Sequence, residues 1–451
     1  MSQERHRSGS TAKPDVRATS AVDIPEGYRM TELGPLPEEW RVVKLGEVIR
    51  SVKGRKPPMI VETPLMDGLP YLTAEYFRSN VANQFVPKEF LNSGEICEKN
   101  DVVLIWDGSK AGQVFTGLKG VLASTMVRLE PTTGNIERTF LYFYLLTQFE
   151  ILNSQTTGST IPHVNKTLFF NLPIPLPHLP EQRAIAHVLR TVQRAKEATE
   201  RVIQTTRELK KSLMRYLFTY GPVLIEEAER VSFKETEIGL VPEHWEVVRL
   251  GEVCLKPQYG FTESATNQRV GPKFLRITDI QNSQVNWNTV PYCEISDELL
   301  KRYRLEPGDL LFARIGATTG KTLLIRECPE AIFASYLIRV RVNLNFLLPE
   351  FLFYFTQGNL YWSQINTAKG GRLKQGINIP VLSSLLVPLP PISEQRIIAR
   401  ILEAVDKKLQ VEEARKQVLD ALFNSLLHNL MTAKIRVKDL NLYNIDIIQR
   451  R

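Results

Sequence analysis

The chain has 451 residues, 43% of them hydrophobic and 24% charged. That is enough for about three domains of about 150 residues each and unlike fibrous or wholly disordered proteins. Its 57 Lys and Arg against 49 Asp and Glu give a formal charge of +8, compatible with a polyanionic partner although many soluble proteins carry as much.

In chain order, residues 1–30 are polar and read as a structureless tail. The first globular segment, residues 31–179, opens on TELGPLPEEWRVVKLGEVI (31–49). Within it, DVVLIW (101–106) reads as a strand running into a turn at Gly108, and FLYFY (140–144) as a buried helix. Pro175, Pro177 and Pro180 forbid an earlier start to the helix predicted over 180–220. There Ile185, Val188, Leu189, Val192, Val202, Leu209, Leu213 and Leu217 recur at three- and four-residue steps, the spacing of an apolar stripe. Gly221-Pro222 closes it, and residues 221–241 read as a linker. The second globular segment, residues 242–392, repeats the pattern with DLLFA (309–313), a turn at Gly316 and FLFYF (351–355). A second helix is predicted over 393–432, with Ser393 as N-cap, and 433–451 read as a C-terminal tail. Its stripe is Ile398, Ile401, Leu402, Val405, Leu409, Leu419, Leu422, Leu426 and Leu430.

The chain is therefore written twice. TEIGLVPEHWEVVRLGEVC (236–254) matches residues 31–49 at twelve of nineteen positions at an offset of 205, where unrelated segments would match at roughly one. PLPHLPEQRAIA (175–186) answers to PLPPISEQRIIA (388–399) at an offset of 213. The globular segments diverge strongly between these matching edges, while the helices stay alike. Each predicted helix covers about 38 residues, roughly 57 Å. A single helix of that length cannot hide its own stripe. Two of equal length and matching phase can bury each other, and an antiparallel pair is expected, with the globular segments at opposite ends of a rod.

Four cysteines (Cys97, Cys254, Cys293 and Cys328) include no C-x-x-C pair, so neither a zinc cluster nor a disulfide framework is indicated. No apolar leader and no run approaching about 18 apolar residues is present, so a cytoplasmic protein without a membrane span is expected. GATTGKT (316–322) resembles a phosphate-binding loop, but its two glycines enclose three residues where that loop needs four, and the equivalent GSKAGQV (108–114) has Gln113 in place of the lysine. No Asn/Asp-Pro-Pro-Tyr/Phe tetrapeptide, H-E-x-x-H pair or spaced nuclease acids occur, so neither a catalytic site nor a cofactor is expected.

Leu36-Pro37-Glu38-x-Trp40 with Leu45-Gly46-Glu47, the second-copy Val241-Pro242-Glu243-x-Trp245 with Leu250-Gly251-Glu252, and two P-L-P-x-x-x-E-Q-R runs ending in Arg183 and Arg396 carry a resemblance over residues 31–432. The chain resembles the specificity subunit of Type I restriction–modification enzymes. The resemblance implies an α+β fold: two tandem target-recognition domains of mixed β-sheet with short helices, separated by two long helices packed as an antiparallel coiled coil, in a pseudo-twofold internal repeat. It also implies a non-catalytic protein that binds a bipartite, asymmetric double-stranded DNA target. The helix pair would act as a ruler, half-sites on one face of a duplex lying about 34 Å apart per turn. Two methyltransferase subunits, carrying S-adenosylmethionine chemistry, and two restriction/translocase subunits would complete the enzyme.

DNA readout needs forked donors and acceptors on loops beside phosphate-binding Lys and Arg. In the first copy the candidates are Arg55, Lys56, Lys110, His163 and Lys166; in the second they are Tyr259, Arg276, Arg314, Lys369, Arg372 and Lys374. Solvated surface charge is the competing reading for each. At the level of the whole chain the alternatives are an orphan bipartite DNA-binding protein, a nucleotide hydrolase built on GATTGKT, and a protein–protein scaffold made of the helices.

Overall fold

The structure, a computed structural model, describes residues 24–281, 283–368 and 376–440. Its first half runs β1 (Tyr28–Thr31), β2 (Gly34–Pro37), β3 (Arg41–Lys44), α1 (Leu45–Val48), β4 (Ile49–Lys53), β5 (Leu69–Leu72), α2 (Ala74–Ser79) and β6 (Phe85–Val86). It continues with β7 (Ile96–Cys97), β8 (Val102–Ile105), β9 (Val114–Phe115), β10 (Gly120–Leu122), β11 (Met126–Pro131), α3 (Arg138–Ser154), α4 (Lys166–Asn171), β12 (Pro173–Leu176) and the long α5 (Leu179–Tyr220). The second half repeats the plan with β13 (Phe233–Thr236), β14 (Gly239–Pro242), β15 (Glu246–Arg249), β16 (Gln258–Tyr259), β17 (Lys273–Leu275), β18 (Ile280–Gln281) and β19 (Gln284–Val285). After these come α6 (Asp297–Tyr303), β20 (Leu310–Ala313), β21 (Thr322–Leu324), β22 (Ala331–Phe333) and β23 (Leu337–Val340). Helices α7 (Pro349–Phe355), α8 (Asn359–Ala368) and α9 (Ile379–Ser384), strand β24 (Leu386–Leu389) and the long α10 (Ile392–Met431) end it.

The described residues form two compact units, those up to 198 with those from 417 onward, and those of 199–416. The division falls inside α5 and α10, so each unit holds one sheet-bearing segment and part of both long helices. The long helices are thus not modules of their own. The segments read as tails and linker also carry structure: β1 begins at Tyr28, β13 and β14 lie within or at the edge of the linker, and Arg436 packs into the first unit.

In the first unit the sheet order is β4-β11-β8-β9, with a second sheet β6-β5-β10-β7 in which β5 and β10 run parallel. Strand β12, just before α5, pairs antiparallel with β3, just after the Trp motif, and so ties the two repeated motifs into one structure. The core gathers Trp40, Phe140, Phe143 and Phe169 with Ile185, Val188, Leu189 and Val192 of α5 and Leu419, Phe423 and Leu430 of α10. Burying each such aliphatic side chain stabilises the unit by about 1.5–3 kcal/mol.

The second unit repeats this frame: sheet β16-β23-β20-β21, the parallel pair β17-β22, and β24 paired antiparallel with β15. Trp245, Phe312, Phe351 and Tyr354 pack with Leu217 and Phe218 of α5 and Ile398 and Leu402 of α10. Its helix segments run antiparallel, since Glu200 pairs with Lys416 at 2.7 Å, Arg207 with Glu413 at 2.6 Å and Lys210 with Asp406 at 2.7 Å. The first two pairs are exposed and contribute under about 1 kcal/mol each, and the third is half-buried, so the apolar contacts set the packing and the charges mark its register. The stripe read from spacing is not buried throughout: Val202 is 40% and Leu209 51% exposed in this unit.

Candidate nucleic-acid interface

Each unit has a strand-end station where three backbone segments meet. In the first unit β4 ends at Lys53 and passes into Gly54, whose N–H donates to the Met126 carbonyl at 3.0 Å. A Cβ on Gly54 would lie 2.2 Å from the Ala123 carbonyl oxygen, so only glycine lets the chain pass there. The second segment leaves β8 through Trp106 and Asp107 to Gly108, and the third is the loop before α4. These two are stitched by the Val164 N–H to the Trp106 carbonyl at 2.9 Å and the Gly108 N–H to the Pro162 carbonyl at 2.8 Å.

The second unit builds the same station. Gly260 follows Tyr259, donates to the Leu337 carbonyl at 3.1 Å, and would place a Cβ 2.2 Å from the Ala334 oxygen. The Ile377 N–H donates to the Arg314 carbonyl at 2.9 Å. Asn165 and Asn378 each cap the following helix, accepting from Leu168 N–H at 3.1 Å and Val381 N–H at 3.0 Å.

On this shared backbone the side chains differ. In the first unit Asp107, 14% exposed, takes Lys53 Nζ on one oxygen at 2.9 Å and His163 Nδ1 on the other at 2.7 Å. In the second unit the Arg314 guanidinium lies 4.6 Å from the centre of the Tyr259 ring, with Nη1 donating to the Ser335 carbonyl at 3.3 Å. The Tyr259 hydroxyl accepts from the Ile379 N–H at 3.2 Å, which fixes the ring.

The structure thus joins His163 to Lys53 and Asp107, and Tyr259 to Arg314. Arg55, Lys56, Lys110 and Lys166 are exposed, and their side chains make no ion pair or hydrogen bond among the described residues. Arg276 is held otherwise: Nε and Nη2 grip both oxygens of Asp279 at 3.0 and 2.8 Å, and that hydrogen bond raises its pKa, with burial opposing. Its fork braces the turn Ile277–Asp279. Lys369, Arg372 and Lys374 lie outside the described residues. Lys53 and Asp107 escaped sequence reasoning because they stand on different loops and only the fold makes them neighbours. A signal was present in VKGRK and WDGSKAG, where basic and acidic side chains flank glycine.

GATTGKT joins the antiparallel strands β20 and β21. A phosphate loop passes from a strand into a helix whose N-terminus receives the phosphate, and here the chain turns back into a strand. Gly316 and Gly320 have φ of 86° and 91°, as Gly108 and Gly112 have 122° and 93° at the same turn of the first unit. The loop is a hairpin turn that both units share.

The repeated motifs meet inside each unit. Trp40 Nε1 donates to Glu181 at 2.9 Å, as Trp245 Nε1 does to Glu394. Gln182 Nε2 donates to the carbonyls of Pro177 and Asn135 at 2.8 Å each, and its oxygen accepts from Glu137 N–H at 2.8 Å. Gln395 repeats this on Pro390, Phe346 and Leu348. Arg436 adds a bridge in the first unit only, reaching Glu181 and Glu39 at 2.8 Å each. Where Glu39 stands, the second unit has His244, which bonds Glu394 directly at 2.9 Å. Among the described residues no metal-ligand cluster occurs and no helix is long and apolar enough to cross a membrane.

A family model for the Type I restriction modification DNA specificity domain matches residues 37–209 and 242–421. The chain is 34% identical over 416 residues to the Type I restriction enzyme MjaVIII specificity subunit of Methanocaldococcus jannaschii, covering 90% of this chain and 95% of that one. It is 22% identical over 432 residues to the EcoKI specificity subunit of Escherichia coli K12, covering 89% and 90%. The crystal structure of the S subunit of a Type I restriction–modification system from M. genitalium shares the fold at a TM-score of 0.61 and 17% identity, covering 87% of this chain and 96% of that one.

Proposed function

The chain belongs to the family of Type I restriction–modification DNA specificity subunits, and from that premise we propose that it reads a bipartite, asymmetric double-stranded DNA target, one half-site per unit. The observation that carries this reading is the pair of strand-end stations. Their backbones match, yet one holds an acid between a lysine and a histidine and the other an arginine against a tyrosine. A duplicated frame with unlike side chains suits a split target with unlike halves, because base edges are told apart by their pattern of donors and acceptors. The exposed Arg55, Lys56, Lys110 and Lys166 suit phosphate contacts that set position without reading sequence.

In this reading the chain supplies the address and performs no chemistry. It directs two methyltransferase subunits and two restriction/translocase subunits to the target, and the length of α5 and α10 sets the gap between half-sites. The test is to co-express the chain with the methyltransferase subunit of its own system and map methylated adenines in the host genome. A split motif is expected, and exchanging residues 37–179 for those of another family member should change one half alone. No motif, or a change in both halves or neither, would overturn the proposal.

A further inference from the structure

Resting on the DNA-reading function proposed above, we infer that Arg314 reads a guanine in the half-site of the second unit and that Tyr259 is the brace that aims it. Other arginines of the second unit are neutralised locally. Arg276 holds Asp279 at 2.8 Å, Arg341 holds Asp309 at 2.6 Å, and Arg326 holds Glu403 at 3.0 Å. Arg314 has no carboxylate partner among the described residues, although it is only partly exposed and its Nε is buried without a hydrogen-bond acceptor. Leaving such a donor unmatched is unfavourable, and nothing in the packing of this unit requires a guanidinium there.

What the surroundings provide is aim. The tyrosine ring stacks 4.6 Å from the guanidinium, the Ile379 N–H holds that ring by its hydroxyl, and the Ser335 carbonyl fixes Nη1. Among the described residues Nη1–Ser335 is the one hydrogen bond of these nitrogens, which leaves Nη2 and the second Nη1 hydrogen as a planar fork of two donors. That fork matches the O6 and N7 acceptors of guanine in the major groove. A phosphate would accept the same fork, and loss of preference at one base pair, rather than uniform weakening across sequences, tells the two contacts apart. At the first station Trp106 takes the place of Arg314, its carbonyl accepting from the Val164 N–H as that of Arg314 does from the Ile377 N–H, so that station offers no guanidinium at this position.

The experiment is selection of bound sequences from randomised duplex DNA by the full chain in complex with its methyltransferase subunit, repeated with Arg314→Lys, Arg314→Ala, Tyr259→Phe and Tyr259→Ala. Both Arg314 variants should lose discrimination at one guanine by about 10- to 100-fold and leave the other half-site intact. Tyr259→Phe, which keeps the ring, should retain most of the preference, and Tyr259→Ala should lose it. Thermal melting of each complex identifies a variant that fails to fold, and the lysine variant carries the test if the alanine variant does. A split motif whose guanines all survive Arg314→Lys would overturn this inference alone. So would loss of preference in the half that follows residues 37–179. A wild-type complex that selects no split motif would overturn the function on which the inference rests, and the inference with it.

Discussion

Replacing Gln395 by alanine isolates what the repeated Glu-Gln-Arg motif does for the fold. The side chain is fully buried. Its Nε2 donates to the Pro390 and Phe346 carbonyls, and its Oε1 accepts from the Leu348 N–H at 2.9 Å. The Pro390 bond is buried and the other two partly so, so truncation strands one acceptor without solvent and leaves two groups with restricted access to water. Stranding a buried polar group costs about 1–3 kcal/mol and losing each of two partly hydrated bonds about 0.5–1.5 kcal/mol, which sums to about 4 kcal/mol. For a unit spanning residues 199–416 that is a fall in Tm of about 8–16 °C. Thermal unfolding by circular dichroism reads it, with Gln182→Ala as the matched change in the first unit. Arg396→Ala is the control: the next residue of the motif is exposed, makes no ion pair among the described residues, and should shift stability by under about 0.5 kcal/mol. A Gln395→Ala protein that melts with the wild type, or a control that falls as far, would refute the assignment of the glutamine as the internal staple.

Arg436→Met should lower stability by about 2 kcal/mol, since it removes charge-assisted hydrogen bonds from Glu181 and Glu39. The Glu39 carboxyl is held below its ordinary value by a backbone hydrogen bond and by Arg436. A depressed carboxyl contributes stability that is present above its unfolded value and lost as pH falls through the folded one, so the gap between wild type and variant should narrow on acidification through that range. The Cys97 thiol, fully buried, is pushed up to about 12 by burial and by the charge of Asp101, so a thiol reagent at pH 8 should react with it only after unfolding. Gly54→Ala and Gly260→Ala should each destabilise their unit by several kcal/mol, because the new Cβ would lie 2.2 Å from a carbonyl oxygen; soluble expression and melting check this. Inserting about four residues, one turn, into both α5 and α10 should lengthen the gap in the methylated motif without changing either half, and an unchanged gap would count against the helices as the ruler.

The organisation of the fold was legible wherever residues repeat. The Trp motif and the Glu-Gln-Arg run stand 141 positions apart in the first copy and 149 in the second, and Trp40–Glu181 and Trp245–Glu394 make the same hydrogen bond. The glycine turns of Gly108 and Gly316 and the buried helices of FLYFY and FLFYF were equally plain, because positive φ and aromatic burial leave local signatures. The stripe misled in part. Spacing marks Val202, Leu209 and Leu422 as inward, but a long helix drifts relative to its partner, and these three are at least about a third exposed. Arg436 was read as tail because its partners Glu39 and Glu181 lie almost a whole chain away. No periodicity reports such a contact. The stations were the least legible. Their loops were identified by charge and glycine content, but which side chains meet depends on strand pairing between β4 and β11 and between β16 and β23.

Duplication within one chain sets contacts that both copies share beside contacts that they do not. Trp40 and Trp245, Gln182 and Gln395, Asn165 and Asn378, and Gly54 and Gly260 occupy matching places, and each is accounted for by a hydrogen bond or a close backbone approach inside its own unit. At the stations the pairing breaks down: Lys53 corresponds to Tyr259, and Asp107 with His163 faces no counterpart of either kind. Had these side chains served only the frame, the common backbone would have favoured a common solution, as it did at the glutamines. Apart from the Arg436 bridge and His244, the internal contacts named agree between the two frames, and the side chains differ where the loops converge, the pattern expected if each station meets a different group on one kind of partner. The Gln395 and Arg314 substitutions probe the two roles separately, the first through stability and the second through sequence preference in a protein that stays folded.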